Sequence, residues 1–407
     1  MLFETNSKGI FYVLAKLVCF TRHISYLCLM KVVIASDKFK GSLSSLKAAD
    51  AIAEGIRQAI PECDIVTLPV ADGGDGTAEA IVASRRGSWI TASTTDPIGR
   101  PITANFGALD CCTATLDIAT ASGIALLRPE EFNPLENSSK GTGLLIKKAI
   151  EKGYRNFLIG VGGSATNDAA TGLLSALGFR FLNTQGKEIR PCGKNLIEIE
   201  TIDATGVIPE LADCTFNLLC DVDAAFYGKN GAATLFAPQK GADSATVELL
   251  DNGMRKFAEV VRNTTGKDMQ RRQYSGAAGG IGGALWALLD AKLSCGISML
   301  LETIRFAEHL TDADLVVTGE GAMDRTTLLG KAPYGVCLES TKKGIPVIAF
   351  AGRVEDRDLL NRHGFLAVIP IVEGPITLAE AIAPDVAYAN LKNASQQIFR
   401  ILRHRIR

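Results

Sequence analysis

Six short segments of this chain concentrate residue types that can do chemistry, each beside a glycine turn or at the end of an apolar run. Ser36-Asp37-Lys38-Phe39-Lys40-Gly41-Ser42 follows the apolar run at Val32. Two lysines ahead of a helix start, where free N–H groups collect, make a local anion site; a solvated charged turn would use the same residues. Ala71-Asp72-Gly73-Gly74-Asp75-Gly76-Thr77 places two carboxylates three residues apart on a loop whose glycines admit a ligand closely. Such hard oxygen donors suit Mg2+, although a tight turn with an Asp cap reads the same way. Gly160-Val161-Gly162-Gly163-Ser164-Ala165-Thr166-Asn167-Asp168 follows a strand pattern directly. Its glycines can turn backbone N–H groups toward phosphate. Ser164 and Thr166 add hydroxyls, and Asn167 and Asp168 are suited to a metal or a substrate hydroxyl.

Three further segments extend this chemistry. Asp221-Val222-Asp223 ends another strand pattern, and Gln239-Lys240 follows in Pro238-Gln239-Lys240-Gly241-Ala242. Acids at a strand end with a Gln-Lys loop suit metal and phosphate, and equally suit ordinary turns. Ala277-Ala278-Gly279-Gly280-Ile281-Gly282-Gly283 either cradles phosphate or lets a helix pack closely. Thr318-Gly319-Glu320-Gly321-Ala322-Met323-Asp324-Arg325-Thr326-Thr327, with Lys331 close behind, delivers acids and cations from one strand end. Phosphoryl transfer needs that combination of metal-binding acids and charge-neutralising cations.

Other chemistries fit less well. The chain lacks the P-loop pattern G-x-x-x-x-G-K-[ST], the protein-kinase loops and a G-x-S-x-G elbow. Its four histidines, His23, His309, His363 and His404, lie outside the glycine loops, which disfavours a nucleophilic triad. The Gly160 loop does fit the G-x-G-x-x-A dinucleotide fingerprint. That fingerprint requires an acid at the end of the next strand, and here Phe179–Leu182 ends at Asn183. An NAD-type oxidoreductase of small hydroxy acids is therefore the weaker reading.

The elements that must position these residues alternate as in a parallel α/β protein. Val32–Ser36 reads as a strand. Ser42 or Ser44 can cap a helix carrying Ala49, Ile52, Ala53, Ile56 and Ile60 at helical spacing. Asp64–Val70 reads as the second strand. Thr91–Thr95 and Ile102–Phe106 flank the turn Asp96-Pro97-Ile98-Gly99-Arg100 and predict an antiparallel hairpin. Parallel texture returns at Leu315–Thr318 and Val347–Ala351, and Leu378–Arg400 reads as helix. The expectation is a flavodoxin-like domain from 30–91 and 296–407, built from both chain ends. A mixed-sheet α/β domain, 92–295, is inserted between. Residues 1–29 read as an extension outside the fold, since Lys16, Arg22 and His23 interrupt an apolar stretch too short to span a membrane.

Composition narrows the partners. The chain has 407 residues, 47% hydrophobic, enough for two domains. A net charge of −1 and 6% aromatic content argue against nucleic acid and anionic membrane. Ten cysteines without a CxxC pair read as reduced thiols of a cytoplasmic protein.

Taken in order, the segments at Ser36–Ser42, Ala71–Thr77, Gly162–Asp168, Pro238–Ala242 and Thr318–Gly321 resemble the bacterial glycerate kinases. The resemblance covers roughly residues 30 to 375. It implies two α/β domains, one flavodoxin-like, ATP and Mg2+ as cofactors, and D-glycerate as substrate. The implied product is 2-phosphoglycerate, and a homodimer remains open. On that basis Lys38 and Lys40 serve the glycerate carboxylate or a phosphate, with Asp37 and Arg325 on the substrate. The nucleotide set is Gly162, Gly163, Ser164, Thr166, Asn167, Gln239, Lys240, Gly279, Gly280 and Lys331. The metal set is Asp72, Asp75, Glu320 and Asp324, and Asp168 or Asp221 takes the hydroxyl proton. Ala224-Ala225, Ala322 and Thr326 depart from the Asn-Pro, Arg and Gln that such proteins often carry. A binding or regulatory protein with weakened turnover is the second alternative.

Overall fold

The computed structural model describes residues 30–405, so the reading of residues 1–29 as an extension lies outside the described residues. Thirteen strands lie within that range. They are β1 (Lys31–Ile34), β2 (Asp64–Thr67), β3 (Ser88–Thr95), β4 (Pro101–Ala108), β5 (Thr113–Asp117), β6 (Asn156–Gly160) and β7 (Arg180–Leu182). After these come β8 (Thr201–Asp203), β9 (Thr215–Cys220), β10 (Lys292–Cys295), β11 (Leu315–Met323), β12 (Val347–Val354) and β13 (Ala367–Pro370). They fall into two compact units. Among the described residues the first takes 30–69, Arg305–Leu329 and 336–405; the second takes Val70–Ile304 and Gly330–Gly335.

In the first unit one sheet runs β2-β1-β11-β12-β13, and every pairing is parallel. Numbered by appearance within the unit, that order is 2-1-3-4-5, the flavodoxin-like arrangement whose strand order reverses between β1 and β11. Alternate residues are buried on both faces: Val32, Ile34, Val317 and Phe350 on one, Val33, Val316 and Ala349 on the other. The helix Ser45–Ala59 is capped by Ser44, whose side chain accepts from Lys47 N at 3.3 Å. It packs against the C-terminal helix Pro384–Arg405. Gly55 permits this, because a Cβ there would collide with Lys392 O. Ser395 Oγ donates to Ile52 O at 3.0 Å across the same contact. The sheet is thus assembled from both chain ends.

The second unit holds a six-stranded sheet in the order β10-β9-β6-β5-β4-β3. From β10 to β5 the pairings are parallel; β5-β4-β3 is an antiparallel meander. Asp96 closes the hairpin between β3 and β4, accepting from Ile98 N at 3.0 Å and Arg100 N at 2.9 Å. The core beneath includes Phe157 stacked on Phe216 at 5.1 Å and Phe181 edge-on to Phe257. A separate hairpin pairs β7 with β8.

Three segments expected in the flavodoxin-like domain group with the second unit: residues 70–91, residues 296–304 and Lys331. Small residues explain each. Gly107 on β4 admits Val82 of the helix Thr77–Arg85, Gly296 lies against Asp72 O, and Gly335 lies against Ile297. Among the described residues no helix is long and apolar enough to cross a membrane.

Candidate active site

Acids and glycines stand at the carboxyl ends of the parallel strands in the second unit. β5 ends at Asp117, β6 at Gly160, β9 at Cys220 just before Asp221, and β10 at Cys295 just before Gly296. Open α/β sheets bind ligands at this edge. The loop Ala71–Gly76 lies across it. Gly73 O accepts from Val161 N at 2.9 Å and from Gly162 N at 3.3 Å. Gly73 has φ +103, and a Cβ there would stand 2.8 Å from the Leu219 carbonyl, so both conformation and space require glycine. Asp72 Oδ1 accepts from Gly74 N at 3.1 Å. A Cβ on Gly74 would meet Asp72 Oδ1 at 3.0 Å and Asp221 Oδ2 at 3.6 Å, and one on Gly162 would meet Asp221 Oδ2 at 2.9 Å. Gly74 thus stands beside both Asp72 and Asp221, and Gly162 beside Asp221.

Gly163 is the exposed tip of the next loop, with φ +73 and Asp75 Cβ 3.4 Å from where its own Cβ would be. The flanking residues Gly162 and Ser164–Asp168 are buried. The loop is held by backbone bonds, Ile124 N to Gly163 O at 3.0 Å and Ala165 N to Ser122 O at 2.8 Å. Lys240 holds it from behind, donating to Ser164 Oγ at 3.0 Å and Thr166 O at 2.6 Å. Burial pulls the Lys240 ammonium down to about 8, while Asp168 and Asp221 act to raise it.

Asp168 is completely buried. Its Oδ2 accepts from Ser139 N at 2.8 Å, Ser139 Oγ at 2.9 Å and Gly172 N at 3.2 Å. These donors sit at the starts of the helices Lys140–Glu151 and Thr171–Ala176. Burial raises its carboxyl above the usual range, against those bonds. Thr166 Oγ1, Asn167 Oδ1 and Asp168 Oδ1 are buried polar atoms without a hydrogen-bond partner among the described residues.

Gly279 and Gly280 are buried in left-handed backbone, φ +68 and +91, following Ala278 at φ +53. Gly279 lies against Thr166 O, and its own carbonyl accepts from Ala169 N at 3.1 Å. Ala169 and Ala170 are themselves left-handed, at φ +48 and +60. A non-glycine residue there costs about 1–2 kcal/mol, so two strained turns brace each other beneath the loop. The same geometry removes the dinucleotide reading. No helix follows Gly162-Gly163; the next begins at Thr171. β7 pairs with β8 outside the main sheet, and Asn183 Oδ1 closes its turn by accepting from Gln185 N and Lys187 N.

Sequence reasoning missed Asp117. Its Oδ2 accepts from Gly76 N at 2.9 Å and its Oδ1 from Ala78 N at 3.0 Å, so it caps the helix Thr77–Arg85 and fixes the acidic loop. An acid near the end of the strand-like run Thr113–Ile118, comparable to Asp221 at its own strand end, was the available signal. Gln239 is exposed and Lys331 half-buried, both in the second unit.

In the first unit the candidates collect where β1 and β11 end, at the switch point. Asp37 N donates to Gly319 O at 2.9 Å, and Ser36 Oγ reaches the same carbonyl at 3.3 Å. Asp37 Oδ1 accepts from Lys38 N at 2.7 Å. Lys40 is exposed. Glu320 is buried and accepts from Thr327 Oγ1 at 2.7 Å, while Asp324 Oδ1 accepts from Thr326 N at 2.7 Å and caps a short turn. Arg325 is largely exposed and forms a two-pronged ion pair with Asp356, at 3.0 and 3.2 Å. Among the departures, Ala322 pairs in register with Arg353, and Ala224 O accepts from Gly276 N at 2.9 Å.

Comparison with known proteins fits this arrangement. Residues 32–403 match the glycerate kinase family. The chain is 41% identical to the glycerate 2-kinase of Escherichia coli (strain K12), over 91% of this chain and 97% of that protein. It is 40% identical to the glycerate kinase of Bacillus subtilis (strain 168), over 88% and 94% of the two chains. A crystal structure of the Salmonella typhimurium LT2 protein assigned as glycerate kinase 2 superimposes with a TM-score of 0.81 at 37% identity, covering 92% of this chain and 99% of that one. The chain belongs to the glycerate kinase family.

Proposed function

We propose that this kinase transfers the γ-phosphoryl group of ATP to a hydroxyl of D-glycerate, giving 2-phosphoglycerate and ADP with Mg2+ bound. The observation that carries the reading is the grouping of Asp72, Asp75 and Asp221 around the glycine turns at one strand edge. The donor set suits Mg2+. Asp72 and Asp75 offer hard carboxylate oxygens beside Gly74 and Gly163. The tight three-ligand group among the described residues is Asp110, Cys111 and Cys112, away from these acids. Mg2+ is usually held by one or two carboxylates together with water and substrate phosphates, so no closed cage is needed. Bound there, it would neutralise charge on the transferring phosphates.

The protein's own groups then divide the work. The backbone at Gly162-Gly163 approaches the phosphates, since Gly163 is the exposed point of that loop. Asp221 receives the hydroxyl proton as the new P–O bond forms and the bond to the ADP oxygen breaks. Asp168 is assigned to orientation instead, because it is wholly buried and bound to two helix starts. Lys38 and Lys40, at the switch point of the first unit, bind the glycerate carboxylate. Gly279 and Gly280 support the loop by close packing. ATP and free thiols at the described cysteines support a cytoplasmic setting.

The test is ADP release from purified protein with Mg-ATP and D-glycerate, run beside L-glycerate and no-acid controls. D-glycerate-dependent release with 2-phosphoglycerate as product is the expected result. Release without that dependence, or none with nucleotide bound, would overturn the substrate assignment; 3-phosphoglycerate would overturn the position.

A further inference from the structure

Lys240 is the residue whose surroundings least resemble the role its sequence suggests. A lysine in a Gln-Lys-Gly loop reads as a phosphate ligand, exposed and mobile. Here only 3% of Lys240 is exposed, which leaves its ammonium no open path to a phosphate. The turn Pro238–Lys240 that carries it is closed by Gly241, at φ +95 with Phe132 O and Cβ directly beside its α-carbon. The ammonium bonds to Ser164 Oγ and Thr166 O, one residue and three residues beyond the exposed Gly163. Thr166 O is also the atom against which Gly279 packs. The charged groups facing the ammonium are Asp168 and Asp221.

We infer that Lys240 is a positioning residue: from inside the protein it fixes the glycine loop Gly162–Asp168, without touching either substrate. The inference rests on the reading of that loop as the phosphate-binding element. Two features make it more than ordinary packing. A buried ammonium is costly unless it is paired and hydrogen-bonded, and a hydrophobic residue of similar volume would fill the same space more cheaply. In addition, the two atoms it bonds, Ser164 Oγ and Thr166 O, both lie on the loop, so its removal should disturb catalysis more than folding.

The test compares wild type, Lys240→Met and Lys240→Arg in the full chain. Thermal melting, ADP affinity by calorimetry, and kcat and KM for ATP and D-glycerate are measured for each. Lys240→Met should melt within a few degrees of wild type, bind ADP roughly 10-fold more weakly and lose about 100-fold in kcat, with KM for glycerate within about threefold. Lys240→Arg, which keeps the charge but cannot place it on the same two atoms, should recover about tenfold of that kcat and stay about tenfold below wild type. A folded Lys240→Met with wild-type ADP affinity and kcat would overturn the inference, as would equal loss in both variants with unchanged ADP affinity. Should Lys240→Met fail to fold, Lys240→Arg alone decides: near-wild-type stability with impaired kcat supports positioning by this ammonium, and wild-type kinetics with lowered stability refutes it. A wild-type protein that binds ADP but releases none with glycerate would sink the substrate assignment, and the ADP affinities would still test Lys240.

Discussion

The two units use the same edge of a parallel sheet in different ways. In the first, Lys38 and Lys40 stand at the β1/β11 switch point on a short turn, Lys40 is exposed, and Gly321 is less crowded than Gly162, with Lys40 N 3.3 Å from where a Cβ would be against 2.4 Å from Gly162 to Gly74 Cα. In the second, the corresponding loops are layered. The acidic loop lies on strand ends, the Gly162 loop beneath it is braced by Lys240 and Gly279, and Asp117 and Asp168 bind helix starts from below. One edge therefore presents lysine charge, exposed at Lys40, suited to a small acid, while the other presents backbone held by buried polar groups, suited to phosphates whose charge must be met without reorganisation. Preorganisation is what the second unit's buried polar groups supply.

Experiments can break this contrast, and the largest effect should come from the layered edge. Asp221→Asn should lower kcat by about 10³-fold while melting like wild type; kcat within tenfold would remove Asp221 from the proton path. Gly162→Ala comes next. Its Cβ would collide with Gly74 Cα, so it should cost about 1–3 kcal/mol in urea unfolding and about 100-fold in kcat/KM. Gly321→Ala in the first unit should cost far less, and equal costs would erase the distinction between the edges.

A pH profile sharpens it further. In the free enzyme kcat/KM for ATP should fall by up to about tenfold per pH unit above the value near 8 at which Lys240 loses its proton. Stability should move the other way. The folded chain releases this proton near 8 and the unfolded chain near 10.5, so the unfolded state binds more protons in that window. The burial cost of the charged form is present below 8 and relieved above it. A profile flat to pH 9.5 would contradict that order.

Smaller effects belong to the first unit. Lys40→Ala should raise KM for glycerate by about tenfold with no change in melting temperature, since an exposed cation contributes binding rather than packing. An unchanged KM would move carboxylate recognition elsewhere. Arg325→Ala should cost less than about 1 kcal/mol, because its pair with Asp356 is largely in water. A large rise in glycerate KM in that variant would mean that Arg325 leaves Asp356 to bind substrate.

Much of this was legible in the residues. Apolar runs of strand length alternating with helical spacing fixed the α/β class, and the Asp-Gly and Gly-Gly-Ser segments marked the turns at strand ends. Those signals are local: a four-residue strand such as β1, or a left-handed glycine such as Gly73, is required by its own sequence and φ. Burial is not local. Lys40 and Lys240 look alike in sequence, each beside glycine in a polar turn. Ser164 and Thr166, more than seventy residues earlier in the chain, receive the buried Lys240 ammonium, while Lys40 stays exposed. Likewise the helix Thr77–Arg85 follows β2 directly, yet it joins the second unit through Gly107 on β4 and Asp117 on β5. The sequence by itself determined which residue types stand at the strand ends, because the periodicity and turn chemistry that place them act over a few residues. Only the tertiary structure decided which of those charges face solvent and which lie within the protein, because desolvation is set by neighbours that the chain brings together from far apart.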